Sequence, residues 1–139
     1  MMIDIDSQEK FCVSIVDPSR PSWYVRHFNF LLSVENASRP RNPQLFDGDA
    51  SFFLIPDKFY PGYYAFDSVN VPDHYILATA YGGTRLEKLR HGRSYRDRVS
   101  FVLTDYIVGR KIVYTSLKFN VLYRLSVTGS RSPGISCRQ

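Results

Sequence analysis

Cysteine, tryptophan and histidine are scarce in this chain of 139 residues, and no apolar run is long. The only cysteines are Cys12 and Cys137. Two cysteines make neither a disulfide framework nor a metal site, and they read as unpaired thiols. His27, His74 and His91 lie too far apart for zinc-ligand spacing. No G-x-S-x-G elbow and no phosphate-binding loop occurs. Asp4, Asp6, Asp67 and Asp105 are scattered, whereas a glycosidase needs two carboxylates flanking a cleft. The reading is therefore non-catalytic, with no cofactor and no metal implied. No run is long enough to cross a bilayer. The opening "MMIDIDSQEK" is acidic and polar, unlike a secretory signal. This reads as a cytoplasmic chain with no membrane partner, unless it is a piece or isoform of a longer secreted protein. The sequon Asn36-Ala37-Ser38 matters only in the secreted case.

Aromatic residues, by contrast, are plentiful, at 15% with ten Tyr and ten Phe, within an apolar share of 44%. That share separates the chain from disordered polar sequences and leans toward β structure. Helical periodicity is nearly absent. "GTRLEKLRHG" is bracketed by Gly82, Gly83 and Gly92, and suits a single helical turn or a loop equally. Elsewhere short runs such as "FCVSIV", "SWYVRHFNFLLSV", "ASFFLIP" and "YYAFDSV" alternate with turn signals such as "DPSRPS", "FDGD", "YPG" and "VPD". This pattern predicts an all-β sandwich or barrel.

An internal spacing sharpens the expectation. Tyr24-Val25 and Tyr75-Ile76 each begin a strand after a Pro-containing turn, and "DASFFL" and "RVSFVL" follow later in each unit. A weaker third copy aligns Tyr123 with Tyr75. The spacing is roughly fifty residues, and one such unit cannot cover its own apolar face. The prediction is a single-domain β-trefoil. Repeat 1 spans about 8–57, repeat 2 about 58–105, a short or incomplete repeat 3 about 106–126, and an unpacked tail 127–139. Phe52 and Phe101, at equivalent positions, should meet in a shared core.

These motifs resemble a known family. "YVRHFNF", "LFDGDASFFLIP" and "AFDSVNVPDHYIL" are similar to the trefoil domain of α-L-arabinofuranosidase B enzymes. The matching residues are Tyr24, Arg26, His27, Asn29 and Phe30, then Asp49, Ala50, Ser51 and Phe52, then Ser68-Val69-Asn70 with Pro72. The resemblance covers roughly residues 11–125. It implies a carbohydrate-binding module that holds arabinofuranose side chains of hemicellulose. It also implies that His27 and Asp49 are the polar heart of a sugar pocket, with Trp23 or Tyr24 as its wall. The chemistry agrees: imidazole and carboxylate offer directional partners for hydroxyls, and an aromatic face suits sugar C–H groups. The alternative is that His27 and Asp49 hydrogen-bond each other and order a hairpin. Arg26 and Asn29 read as fixing loop backbone and strand edges.

In the second unit the pattern fails. Ala78 stands opposite His27 and Arg98 opposite Asp49. That site should not take a pentose in the same way. Its surroundings are basic: Arg85, Lys88, Arg90, Arg93, Arg96 and Arg98 stand against Glu87 and Asp97. The stretch reads either as an anion-binding patch or as a solvated hairpin tip. With only Tyr95 interleaved, no nucleic-acid partner is expected. A second overall reading is a protein-interaction or scaffold domain that has lost its sugar. Its contacts would come from the 85–98 hairpin and from exposed Tyr60, Tyr63 and Tyr64.

Overall fold

Short alternating runs need partners on both edges, and most of them find these in one sheet. The computed structural model describes residues 10–17, 20–79, 84–107, 110–116 and 125–130. β1 (Phe11–Asp17) pairs antiparallel with β2 (Arg20–Phe28) on one edge and with β4 (Phe52–Pro56) on the other. β2 continues into β3 (Leu31–Asn36), and β4 into β5 (Tyr64–Ser68). β6 (His74–Leu77) joins β5, β7 (Arg85–Lys88) joins β6, and the pair Leu31↔Arg85 closes β7 onto β3.

Seven strands thus close into one antiparallel barrel in the order β1-β2-β3-β7-β6-β5-β4. This corrects the expectation of a β-trefoil. Pairing of β1 through β7 with one another already gives each strand two neighbours, so the ring closes without a third unit. β8 (Phe101–Ile107) lies outside the ring and reaches it through the pair Tyr64↔Phe101. β9 (Arg110–Ser116) pairs with β8, and β10 (Leu125–Ser130) pairs with β9 and β1. β10 therefore runs into the stretch expected to start an unpacked tail. Residues 131–139 lie outside the described residues.

The run "SWYVRHFNFLLSV" is a hairpin rather than one strand. Asn29 and Phe30 both have positive φ, at 51° and 64°, between the paired ends Phe28↔Leu31. Two consecutive left-handed residues form the two-residue turn whose twist matches antiparallel strands.

Two hydrophobic clusters share the strands. Val13, Ile15, Val25, Phe52, Leu54, Phe66, Ile76, Ala78 and Leu86 form the cluster of the ring, joined by Leu32 and Val34 from β3 and by Phe101 from β8. Phe52 and Phe101 both belong to this cluster, where Phe101 packs edge-on against Phe66. On the outer face, Ile55, Ala65, Tyr75, Leu77, Tyr95 and Val99 make a second cluster. Tyr95 belongs to the short helix α2 (Arg93–Arg98), which covers that face. Burial on both sides explains why "FFLIP" and "HYIL" read as continuous apolar runs. Another short helix, α1 (Pro43–Asp49), packs against β2.

Cys12, buried on β1, is in a disulfide rather than a free thiol as expected. The other cysteine of the chain, Cys137, lies outside the described residues. No helix among the described residues is long and apolar enough to cross a membrane.

Asp67 on β5 gives a pH prediction. Burial, then the charge of Asp73, push its carboxyl up from 3.8 to about 6. The folded state thus binds a proton more tightly than the unfolded chain. Stability is then greatest below the unfolded value and falls as pH rises from about 4 to about 6. Asp67→Asn should stabilise the protein at neutral pH by about 1 kcal/mol, a figure reduced for solvent screening of a partly exposed group. The gain should vanish below about pH 4. Urea unfolding at the two pH values measures it.

Candidate functional site

Successive strand residues point to opposite faces, and β2 uses both. Val25 joins the barrel core, and His27 shares its side of the strand. Tyr24, Arg26 and Phe28 face the side covered by α1. There Tyr24 meets Phe46 edge-on, and the Arg26 guanidinium sits over the rings of Phe28 and Phe46. Arg26 is fully buried, which a cation tolerates only with partners. It has several. It donates to Asp49 Oδ2, to the carbonyl of Arg41, to the carbonyl of His27 at 3.1 Å and to Glu35 Oε1 at 3.4 Å.

Asp49 ends α1 and reaches past the strand, so it also meets the other face. Its Oδ1 lies 3.4 Å from His27 Nε2 and accepts the Asn70 amide at 2.7 Å. A carboxylate only accepts, so the Asn70 Nδ2 must face Asp49 and its Oδ1 must face away. That oxygen accepts from Ser68 Oγ at 3.0 Å and lies 2.7 Å from His27 Nε2. The His27 Nε2 therefore carries the proton and donates. One charge-anchored chain results, Arg26–Asp49–Asn70–His27, with Ser68 at its end. His27 and Asp49 are each 6% exposed, while Asn70 is exposed at the surface. Gly48 makes room for it: a Cβ there would stand 3.0 Å from Asn70 Nδ2.

A second ionic knot holds the loop before α1. Arg41 donates to Glu35 Oε2 from Nε at 2.9 Å and from an amino group at 2.6 Å. Burial works against ionisation of Glu35, but the hydrogen bonds from Arg41 and the charges of Arg26 and Arg41 outweigh it. They hold its carboxyl below the ordinary range.

The structure thus brings His27 and Asp49 together and leaves the aromatic candidates elsewhere. Tyr24 belongs to the α1 side. Trp23 is half-buried, has Arg20 over its ring at 4.1 Å, and stands four strand residues, about 13 Å, from His27. Sequence reasoning missed Asn70 as the bridge and Arg26 as the cation behind Asp49. The "SVN" motif carried the first signal, and a lone Arg amid the apolar alternation of β2 carried the second.

The family model of the alpha-L-arabinofuranosidase B (ABFB) domain matches residues 6–103. The chain belongs to the AbfB domain family. No curated protein matches it. Among solved structures, it is similar to a GH54 α-L-arabinofuranosidase soaked with 4-nitrophenyl α-L-arabinofuranoside, at 15% identity and a TM-score of 0.62. That match covers 89% of this chain and 27% of the other. An arabinofuranosidase complexed with arabinofuranosyl-α-1,2-xylobiose gives 16% identity and a TM-score of 0.63, over 89% and 27%. The AbfB chain therefore spans about a quarter of the length of these structures, and at such identity the likeness concerns the fold.

Within this AbfB domain a second helix-to-strand corner makes the same local hydrogen bond as the first. α1 leads to β4 and α2 leads to β8. Ser51 donates to the Asp47 carbonyl at 2.6 Å, and Ser100 to the Arg96 carbonyl at 2.7 Å. Ala78 donates its N–H to the Arg98 carbonyl at 2.9 Å, so the residues opposite His27 and Asp49 are neighbours too. The chemistry differs, with a buried alanine and a half-buried arginine.

The basic stretch is not a hairpin tip. Arg85 and Lys88 lie on β7, a loop carries Arg90, and α2 carries Arg93, Arg96 and Arg98. Arg85 pairs with Glu87 at 2.9 Å. Tyr60, Tyr63 and Tyr64 are half-buried rather than exposed. The Tyr60 hydroxyl donates to Asp97 at 2.7 Å, and that bond, with burial second, raises the phenol above its ordinary value.

Proposed function

We propose that this domain is a non-catalytic carbohydrate-binding module for arabinofuranose-type side chains, with its site at Asn70, His27 and Asp49. One observation carries the reading: a buried, charge-anchored chain of polar side chains ends on one exposed amide. Asn70 is oriented by Asp49, His27 and Ser68, and Asp49 is held in turn by Arg26. A preset amide loses little freedom on binding, which favours weak directional ligands such as sugar hydroxyls. The Asn70 amide has a second N–H beyond the one given to Asp49, the residue is exposed, and His27 and Asp49 are hydrogen-bonded directly to it. A vicinal hydroxyl pair meets this donor first and the imidazole and carboxylate edges next. Membership of the AbfB family supports the ligand class, as do the arabinofuranosyl ligands of the similar structures.

Titration calorimetry with arabinoxylan oligosaccharides tests the reading. Asn70→Ala and His27→Gln should each weaken binding at least about tenfold, the equivalent of losing a hydrogen bond to a well-oriented partner. Asp49→Ala is a poor probe because it also strips buried Arg26 of its carboxylate. Far-UV circular dichroism establishes that each variant is folded. A folded wild-type chain that binds no arabinofuranosyl glycan overturns the proposal and favours a protein-interaction role.

A further inference from the structure

On the α2 side of the barrel, a depression of about 400 Å³ is lined by Phe59, Leu89, Arg90, His91, Gly92 and Arg96. It shares no residue with the Asn70 site. Its size lies within the range of small-molecule sites. Its walls combine two chemistries. Phe59 and Leu89 are apolar. Phe59 is fixed edge-on against Tyr75 and Tyr95, with centroids at 5.3 and 6.1 Å, so that wall is rigid. The other side carries two guanidiniums. Arg90 lies over the Tyr95 ring at 5.2 Å and Arg96 over the Tyr60 ring at 5.5 Å. Stacking on a ring face leaves the N–H edges of a guanidinium open.

The neighbouring acids are already occupied. Glu87 is held by Arg85 and Asp97 by the Tyr60 hydroxyl. Among the described residues, neither Arg90 nor Arg96 has a salt bridge. Two oriented, carboxylate-free forks beside an apolar wall form a receptor for a small anion that also has a C–H face. The guanidinium fork takes a carboxylate through two parallel N–H···O bonds.

We propose that this depression is a second ligand site, which binds a uronic acid residue: Arg90 and Arg96 take its carboxylate, while Phe59 and Leu89 cover its ring. His91, at the rim, serves a ring hydroxyl. The choice of a sugar as carrier rests on the carbohydrate reading above; the anion requirement rests on the two arginines alone.

The experiment titrates the full chain, and separately its Asn70→Ala variant, with glucuronic acid, its methyl ester and glucose 6-sulfate. Glucuronic acid should bind both proteins alike and the methyl ester at least about tenfold more weakly, because the ester removes the charge-assisted bonds. Arg90→Gln and Arg96→Gln, both at exposed positions, should each weaken glucuronic acid binding by a similar factor. Added salt should weaken it as well. No binding by the folded protein overturns the site, as does binding unaffected by either substitution. Preference for the sulfate over glucuronic acid overturns the carboxylate assignment. Loss of binding in Asn70→Ala alone assigns the ligand to the first site and overturns the second. Failure of arabinoxylan binding leaves these comparisons intact, so the two proposals fail separately.

Discussion

Arg26→Leu should lower the unfolding free energy by about 3–5 kcal/mol, the range for removing one partner of a buried ion pair. A buried salt bridge is by itself weak evidence of stability, because desolvation offsets most of its attraction. Removal of one partner is a different matter. Leucine fills much of the volume between Phe28 and Phe46 but leaves the 6% exposed Asp49 without its cation. The carbonyls of Arg41 and His27 lose a donor as well, at about 0.5–1.5 kcal/mol each. Asp49→Asn added to Arg26→Leu should recover part of the loss, since a neutral amide is cheaper to bury than an unpaired charge. A double-mutant cycle by urea denaturation isolates that coupling. A cycle in which the two effects simply add would show that the pair is not the organising contact of the site.

Phe52→Ala should cost about 3–5 kcal/mol as well, through a different mechanism, the cavity it leaves. Phe52 is fully buried at the centre of the barrel interior. Strands from around the ring pack on it, so no single element can relax into the space. The neighbouring Phe53 points to the outer cluster, is half-buried, and has the Lys10 ammonium 4.4 Å from its ring centroid. Phe53→Ala should therefore cost distinctly less, about 1–2 kcal/mol, because solvent and Lys10 can occupy part of the vacated volume. Thermal unfolding of the two variants side by side measures the difference. Equal losses would contradict the assignment of the two faces of β4.

Alternation and turn residues identified the β class and many strand positions, and the spacing of the motifs placed Phe52 and Phe101 in the core. His27 and Asp49 were paired by the resemblance to the arabinofuranosidase B family, not by these patterns. These features are local: a period of two sets which face a residue takes, and Gly, Pro and Asn set where a strand can end. The errors came at longer range. The spacing of roughly fifty residues suggested a trefoil, yet closure depends on which strand edges meet, and Leu31 meets Arg85 across the intervening β4, β5 and β6. The hairpin inside "SWYVRHFNFLLSV" was hidden because Phe30, a residue that disfavours positive φ, occupies a turn position. The disulfide at Cys12 was hidden because chain distance between cysteines carries no geometry.

By itself, then, the sequence determined an all-β chain, Phe52 and Phe101 as core residues, the AbfB motifs and the basic stretch from Arg85 to Arg98. Only the tertiary structure decided that seven strands form one barrel, that Asn70 stands between His27 and Asp49, that Arg26 lies behind them, and that Arg90 and Arg96 share a depression with Phe59. The physical reason is that loop closure costs depend only weakly on chain separation. Many long-range pairings are thus nearly equal in entropy. Packing of side chains from distant strands selects among them, and no local pattern records that selection.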